Sequence, residues 1–324
     1  MFKVFLSVIK YVIIGFIIVL IIQQLSNDDT VQIFKTYTEL RFTPGHYLLL
    51  TGILILMPIN WLLEGRKWQI LMSPHTDLKL KNAVRIVLAG IAAGIFTPGR
   101  IGEYAGRAVT SDSSKKIEVV SATLLGSIAQ NLCNIAGGLL FSYYFLKNVF
   151  HVTNNYILPL ILMVAVQICL LLLLYFRLSK VAVVLAEKSV FHRYKDKLYG
   201  LGIYTNRILF RVLFLSFVRY GIYTLQYVMT MILLNVQLPI TETLGNIMCI
   251  YLIQTGIPLP AIISIFARGE IAILVWGTVG VSSITALSAT FLIWLINLIL
   301  PAIAGLKVIA GTNFYSYFKK EEHE

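Results

Sequence analysis

The chain has 324 residues, 58% hydrophobic and only 13% charged, with a mean hydropathy of +0.81. Soluble domains carry about a quarter charged residues, and polar stretches of at most about 35 residues leave no room for one here. The formal net charge of +12 lies in the stretches between apolar runs, which excludes a nucleic-acid partner in favour of Lys and Arg marking the cytoplasmic side of a membrane.

Six apolar runs approach the ~20 residues that a spanning helix needs: 4–22, 47–63, 119–146, 156–176, 209–235 and 282–306. The first, flanked by Lys3 and Lys10, resembles a signal peptide. Gln23-Gln24-Leu25-Ser26 offers no small-x-small cleavage site, so a retained first helix is expected. Two further apolar regions, 83–118 and 244–281, are interrupted. Residues 180–207 mix Val181, Val184, Leu185, Phe191 and Leu198 with many basic residues. They predict an amphipathic helix on the anionic cytoplasmic leaflet, within a basic segment spanning 177–211.

The two interruptions share a pattern. One reads Gly94-Ile95-Phe96-Thr97-Pro98-Gly99-Arg100-Ile101-Gly102-Glu103; the other reads Gly256-Ile257-Pro258-Leu259-Pro260, followed by Arg268-Gly269-Glu270. Proline and glycine stop helices, and lipid tolerates irregular backbone only where it is sealed in protein or lines a polar cavity. The arms are short, so both regions are expected to re-enter the face they came from. The alternative for the second is a full span over 244–267 with two proline kinks. With both termini inside, 22 Lys and Arg fall on the cytoplasmic side and three outside. Arg219 and Arg268 remain within or beside apolar sequence. Helix, break, helix then occurs from opposite sides in residues 1–146 and 156–311, an inverted-topology repeat. The expected fold is an all-α transmembrane bundle in one domain, residues 1–324, with about six spans, two re-entrant hairpins and a polar tail over 312–324.

Polar residues amid apolar sequence supply the candidate site. Arg219, Tyr223, Gln226 and Thr230 fall on one helix face. A buried charge should meet a cavity or a partner carboxylate, although an arginine eight residues beyond Arg211 also suits snorkelling. Ser127, Gln130, Asn131 and Asn134 form a second stripe, for which interhelical hydrogen bonding is an equal reading. Glu64 lies near the cytoplasmic surface, within reach of Arg66, Lys67 or Arg100. The Arg100, Glu103, Arg107 group is the most specific: with Pro98 and Gly99 ending one helix and another starting near Ile101, it suits an anionic group such as a lipid phosphate. Gly102 supports that turn. Arg268 and Glu270, beside Pro258 and Pro260, form its counterpart.

No H-E-x-x-H, G-x-S-x-G or paired aspartates occur. The five histidines are scattered, and Cys133, Cys169 and Cys249 lie in apolar stretches without metal or disulfide spacing. Neither enzyme activity, nor a metal, nor a cofactor is expected.

At Phe96-Thr97-Pro98-Gly99-Arg100-Ile101-Gly102-Glu103-Tyr104 the chain resembles the lysylphosphatidylglycerol synthase transmembrane-region family of flippase-like membrane proteins. Pro98, Gly102, Glu103 and Arg107 carry the likeness. At the family's second motif Pro258, Pro260 and Glu270 have counterparts, but Ala261-Ile262 replace a glycine pair. The resemblance implies a lipid-translocating inner-membrane domain without the soluble aminoacyltransferase of fused members. Expected partners are membrane lipids, the anionic cytoplasmic leaflet and a second copy in a homo-oligomer. The competing expectation is a scaffold or partner subunit of a lipid or polysaccharide export system.

Overall fold

The computed structural model describes residues 43–95, 97, 100–111, 116–141, 157–188, 195–256 and 264–311. Every regular element among them is helical. In chain order these are α1 (Pro44–Met72), α2 (Leu80–Gly94), α3 (Ile101–Thr110), α4 (Lys116–Phe141), α5 (Ile157–Ala186), α6 (Lys195–Gly202), α7 (Asn206–Leu233), α8 (Ile240–Thr255), α9 (Ser264–Gly277), α10 (Ser283–Trp294) and α11 (Leu300–Ala310). A π-helical turn, Leu295–Ile299, joins α10 to α11.

Five helical segments have the length and apolarity to cross a membrane: Pro44–Met72, Lys116–Phe141, Ile161–Ala186, Asn206–Leu233 and Ser283–Ala310. They coincide with five of the six expected spans; the run 4–22 lies outside the described residues. The helix ends differ for physical reasons. Pro44 opens α1, where its missing N–H costs nothing. The helix continues through Pro58 and past the apolar run to Met72, because Trp61, Glu64, Lys67, Trp68 and Leu71 form one buried stripe. Thr205 caps α7 by accepting from the Ile208 amide, and Ser282 caps α10 by accepting from that of Thr285.

The segment read as one surface helix is divided. Its first part completes α5, which ends at Ala186, and α6 begins only at Lys195. Leu201 and Tyr204 sink into the core beside Tyr175, so the apolar residues there serve packing as well as the surface.

The interrupted regions each form two short helices: α2 and α3 around the first break, α8 and α9 around the second. Backbone contact holds the first pair together. A Cβ at Gly102 would stand 2.1 Å from the Ala93 carbonyl oxygen, and one at Gly106 would stand 2.8 Å from that of Ala89. Gly90 and Gly94 on α2 face Arg107 and Glu103 in turn. Small residues four apart on both helices are how membrane helices reach such closeness.

Packing between the halves follows one scheme. Gly52 meets Met229, Gln226 donates to the Ile53 carbonyl, and Asn60 accepts from Arg219. Residue numbers on α1 rise as those on α7 fall, so the two helices run antiparallel. Helix α11 packs on α2 and α4 packs on α8. At the first contact Gly305 abuts the Leu88 carbonyl oxygen (2.0 Å from an added Cβ) and Ala92; at the second Gly138 abuts Leu252 and the Met248 carbonyl oxygen (2.4 and 3.0 Å). Each glycine seats on positions four apart of a short helix from the other half.

Candidate functional site

The buried face of α1 builds the centre. Trp61, Glu64 and Trp68 are spaced three and four residues apart, so they stack along one side of the helix. The Glu64 carboxylate receives Lys67 of its own helix at 2.7 Å, Arg107 of α3 at 3.3 Å, and Arg219 of α7. Arg219 lies over the Trp61 ring and Arg107 over Trp68, with guanidinium carbons 5.4 and 5.8 Å from the ring centroids. Glu64 therefore sits deep in the protein and not at the surface. Lys67 is just as deep, donating also to the Gly126 carbonyl at 3.2 Å.

Arg219 makes four hydrogen bonds to protein groups and does not snorkel. Its Nε donates to Asn60 Oδ1 at 2.8 Å, its Nη1 to Glu64 and to Gln130 Oε1 at 3.2 Å, and its Nη2 to the Tyr223 hydroxyl at 3.2 Å. Asn60 in turn donates to Asn297 in the π-helical turn at 3.5 Å. A low-dielectric interior makes such a network costly to leave half-satisfied.

The first break continues outward from this cluster. Helix α3 starts at Ile101 with Glu103 in its first turn, as the sequence predicts. Thr97 Oγ1 accepts from the Gly102 amide at 2.8 Å. Glu103 pairs with Arg107 and, at 3.2 Å, with Arg100. The two arginines differ in setting: the Arg107 side chain is 2% exposed and that of Arg100 43%. Arg100 also holds a left-handed backbone, φ +58°, a conformation that a side chain adopts at a cost.

At the second break, Arg268 Nε donates to Ser264 Oγ at 3.1 Å and its Nη1 to Gln254 Oε1 at 2.9 Å. Among the described residues no carboxylate pairs with it. Asn134 donates to Thr255 Oγ1 at 3.3 Å, and the Tyr251 hydroxyl donates to the Tyr223 carbonyl at 3.1 Å. The helices beside the two breaks, α3, α8 and α9, thus share a polar seam with α4 and α7.

The candidate residues divide. Glu64, Arg100, Glu103, Arg107, Gln130, Arg219 and Tyr223 join this network, Asn134 reaches it through Thr255, and Arg268 stands beside it, bonded to Gln254 and Ser264. Gln226 instead ties α7 to the Ile53 carbonyl at 2.9 Å, a packing role. Asn131 is exposed on another face of α4. Gly102 serves the close approach to Ala93. Glu270 is half-buried on α9, two residues beyond Arg268. Pro98, Gly99, Pro258 and Pro260 lie outside the described residues. Lys67 is one of the partners that the sequence offers Glu64, though near the surface and not in the interior; sequence reasoning missed Trp61, Trp68, Gln254 and Asn297. The one available signal was the helical register of Glu64 with Trp61, Lys67 and Trp68.

Apolar helices of spanning length around a buried ionic cluster define a multi-pass integral membrane protein. The chain belongs to the family described as lysylphosphatidylglycerol synthase TM region, whose model matches residues 7–305. No curated protein and no solved structure matches it.

Proposed function

We propose that the protein binds a membrane lipid by its phosphate-bearing headgroup and moves it between leaflets along the polar seam of α3, α4, α7, α8 and α9. One observation carries this reading: among the described residues that form the cluster and the seam, cations outnumber carboxylates. Lys67, Arg100, Arg107, Arg219 and Arg268 stand against Glu64, Glu103 and Glu270. An unbalanced buried charge costs several kcal/mol, and a phosphate offsets it with bidentate geometry suited to arginine. The family's name, which concerns lipid chemistry, supports a lipid as the source of that phosphate.

The architecture supports a path. Helices α2, α3, α8 and α9 have 15, 10, 16 and 14 residues. At 1.5 Å per residue none exceeds about 24 Å, short of a ~30 Å hydrocarbon core. We read both pairs as re-entrant hairpins entering from opposite faces. The packing maps onto itself when α1–α4 are exchanged with α7–α11, and antiparallel α1 and α7 suit an inverted repeat. Both termini are placed in the cytoplasm of a bacterial-type inner membrane by the distribution of basic residues. The seam is a transport path without catalysis.

A scaffold role is favoured by one feature: Glu64 already satisfies Arg107 and Arg219, so those two arginines fit holding the hairpin to α1 and α7. It does not account for Arg100 and Arg268. Lipid movement in proteoliposomes separates the readings. Arg100→Gly relieves the left-handed backbone while removing the charge, and Arg268→Ala removes its counterpart. Each should slow movement by about tenfold or more, the scale of one lost charge-assisted contact, with the fold retained. Unchanged movement in both variants would leave the scaffold.

A further inference from the structure

Resting on that reading, the charge arrangement also bears on which headgroups the seam admits. Glu64 is occupied by three cations and Glu103 by two. An ammonium group entering beside them would compete with arginines that already hold the better positions. Glu270, two residues from Arg268, lies on another side of α9. Facing the seam, Arg268 makes both its hydrogen bonds to neutral acceptors, Gln254 and Ser264, so its charge is not offset there. Arg100 shares Glu103 with Arg107 and is the most exposed cation of the cluster. An anion beside Arg268 offsets that charge, and an amine adds to it.

We infer that the seam selects lipids whose headgroup is net negative and rejects headgroups that carry an amine, with Arg268 setting the preference. A phosphodiester with an uncharged alcohol brings one negative charge, and a phosphomonoester brings up to two. A phosphoethanolamine headgroup is neutral overall. A lysyl ester of phosphatidylglycerol carries two amines and is net positive. The family's name contains that last lipid, yet among the described residues Glu64 and Glu103, the carboxylates nearest the seam's arginines, are both already ion-paired.

The test uses the full-length protein in detergent, with phosphatidylglycerol, phosphatidic acid, phosphatidylethanolamine or lysylphosphatidylglycerol added. Native mass spectrometry counts retained lipid, and thermal unfolding reports stabilisation. The two anionic lipids should be retained at least about tenfold better than the two amine-bearing ones, a modest outcome for like-charge exclusion. Arg268→Gln keeps a polar side chain beside Gln254 and Ser264 and should level the preference without lowering the melting temperature of the lipid-free protein. Arg268→Lys should keep much of it. Equal or better retention of an amine-bearing lipid overturns the inference, as does a preference that survives in Arg268→Gln. If the protein moves lipid in proteoliposomes yet shows no charge preference, this inference fails and the transport reading stands. If it retains anionic lipid but moves none, the reverse holds.

Discussion

Glu64 has three cationic partners from three helices, and none of them can turn to water. Removing its charge strands Lys67, Arg107 and Arg219 together, whereas removing one cation leaves the carboxylate two partners. Breaking a buried pair from one side costs about 3–5 kcal/mol. Glu64→Gln should therefore lower stability by at least that much, and Lys67→Met, which removes a buried charge and keeps an apolar stem, by clearly less. Thermal unfolding in detergent measures both. Equal melting temperatures for Glu64→Gln and the unaltered protein would show the cluster to be loose. At this scale the sequence disclosed Arg100, Glu103 and Arg107, because they are neighbours on one short helix. It put Glu64 and Lys67 near the surface and not in the interior, because a hydropathy run ends where charges begin, while the helix ends only at Met72.

Among elements, the α2–α3 hairpin depends on closeness of backbones. The Ala93 carbonyl stands where a Gly102 side chain would be, so Gly102→Val must pry α3 from α2. It would pull Arg107 from Glu64. A loss of about 1–3 kcal/mol or more follows from such overpacking, with reduced folded yield by size-exclusion chromatography. Gly277→Ala, with nothing within 4 Å of its added Cβ, is the control and should behave as the parent. Five spans and both breaks were legible as apolar runs and their punctuation. The division between α5 and α6 was not, since basic residues mixed with apolar ones read alike whether the apolar side meets lipid or, as Leu201 and Tyr204 do, the core. The glycine pairs at 90 and 94 and at 102 and 106 were visible, but only the fold shows that they face one another.

For the whole molecule, the contacts between the two halves include α1 with α7, α2 with α11, and α4 with both α7 and α8. Glu64 and Arg219 lock the first of these, and the polar seam lies beside it, so a lipid bound in the seam would touch both halves at once. The inverted arrangement was suggested in the sequence by a few repeated residues and by charge counting; contacts such as Gly138 on Met248 and Leu252, and Gly305 on Leu88 and Ala92, lie far apart in the chain and carry no sequence signature. The most direct measurement is photo-crosslinking of a phosphatidylglycerol with a photoreactive group on its headgroup, with the attachment sites mapped by peptide mass spectrometry. The account predicts labels concentrated on the seam, around Arg100–Tyr104, Tyr223, Gln254 and Arg268, and lost in Arg268→Gln. Labels confined to the outward apolar face of α5, unchanged by that substitution, would contradict it.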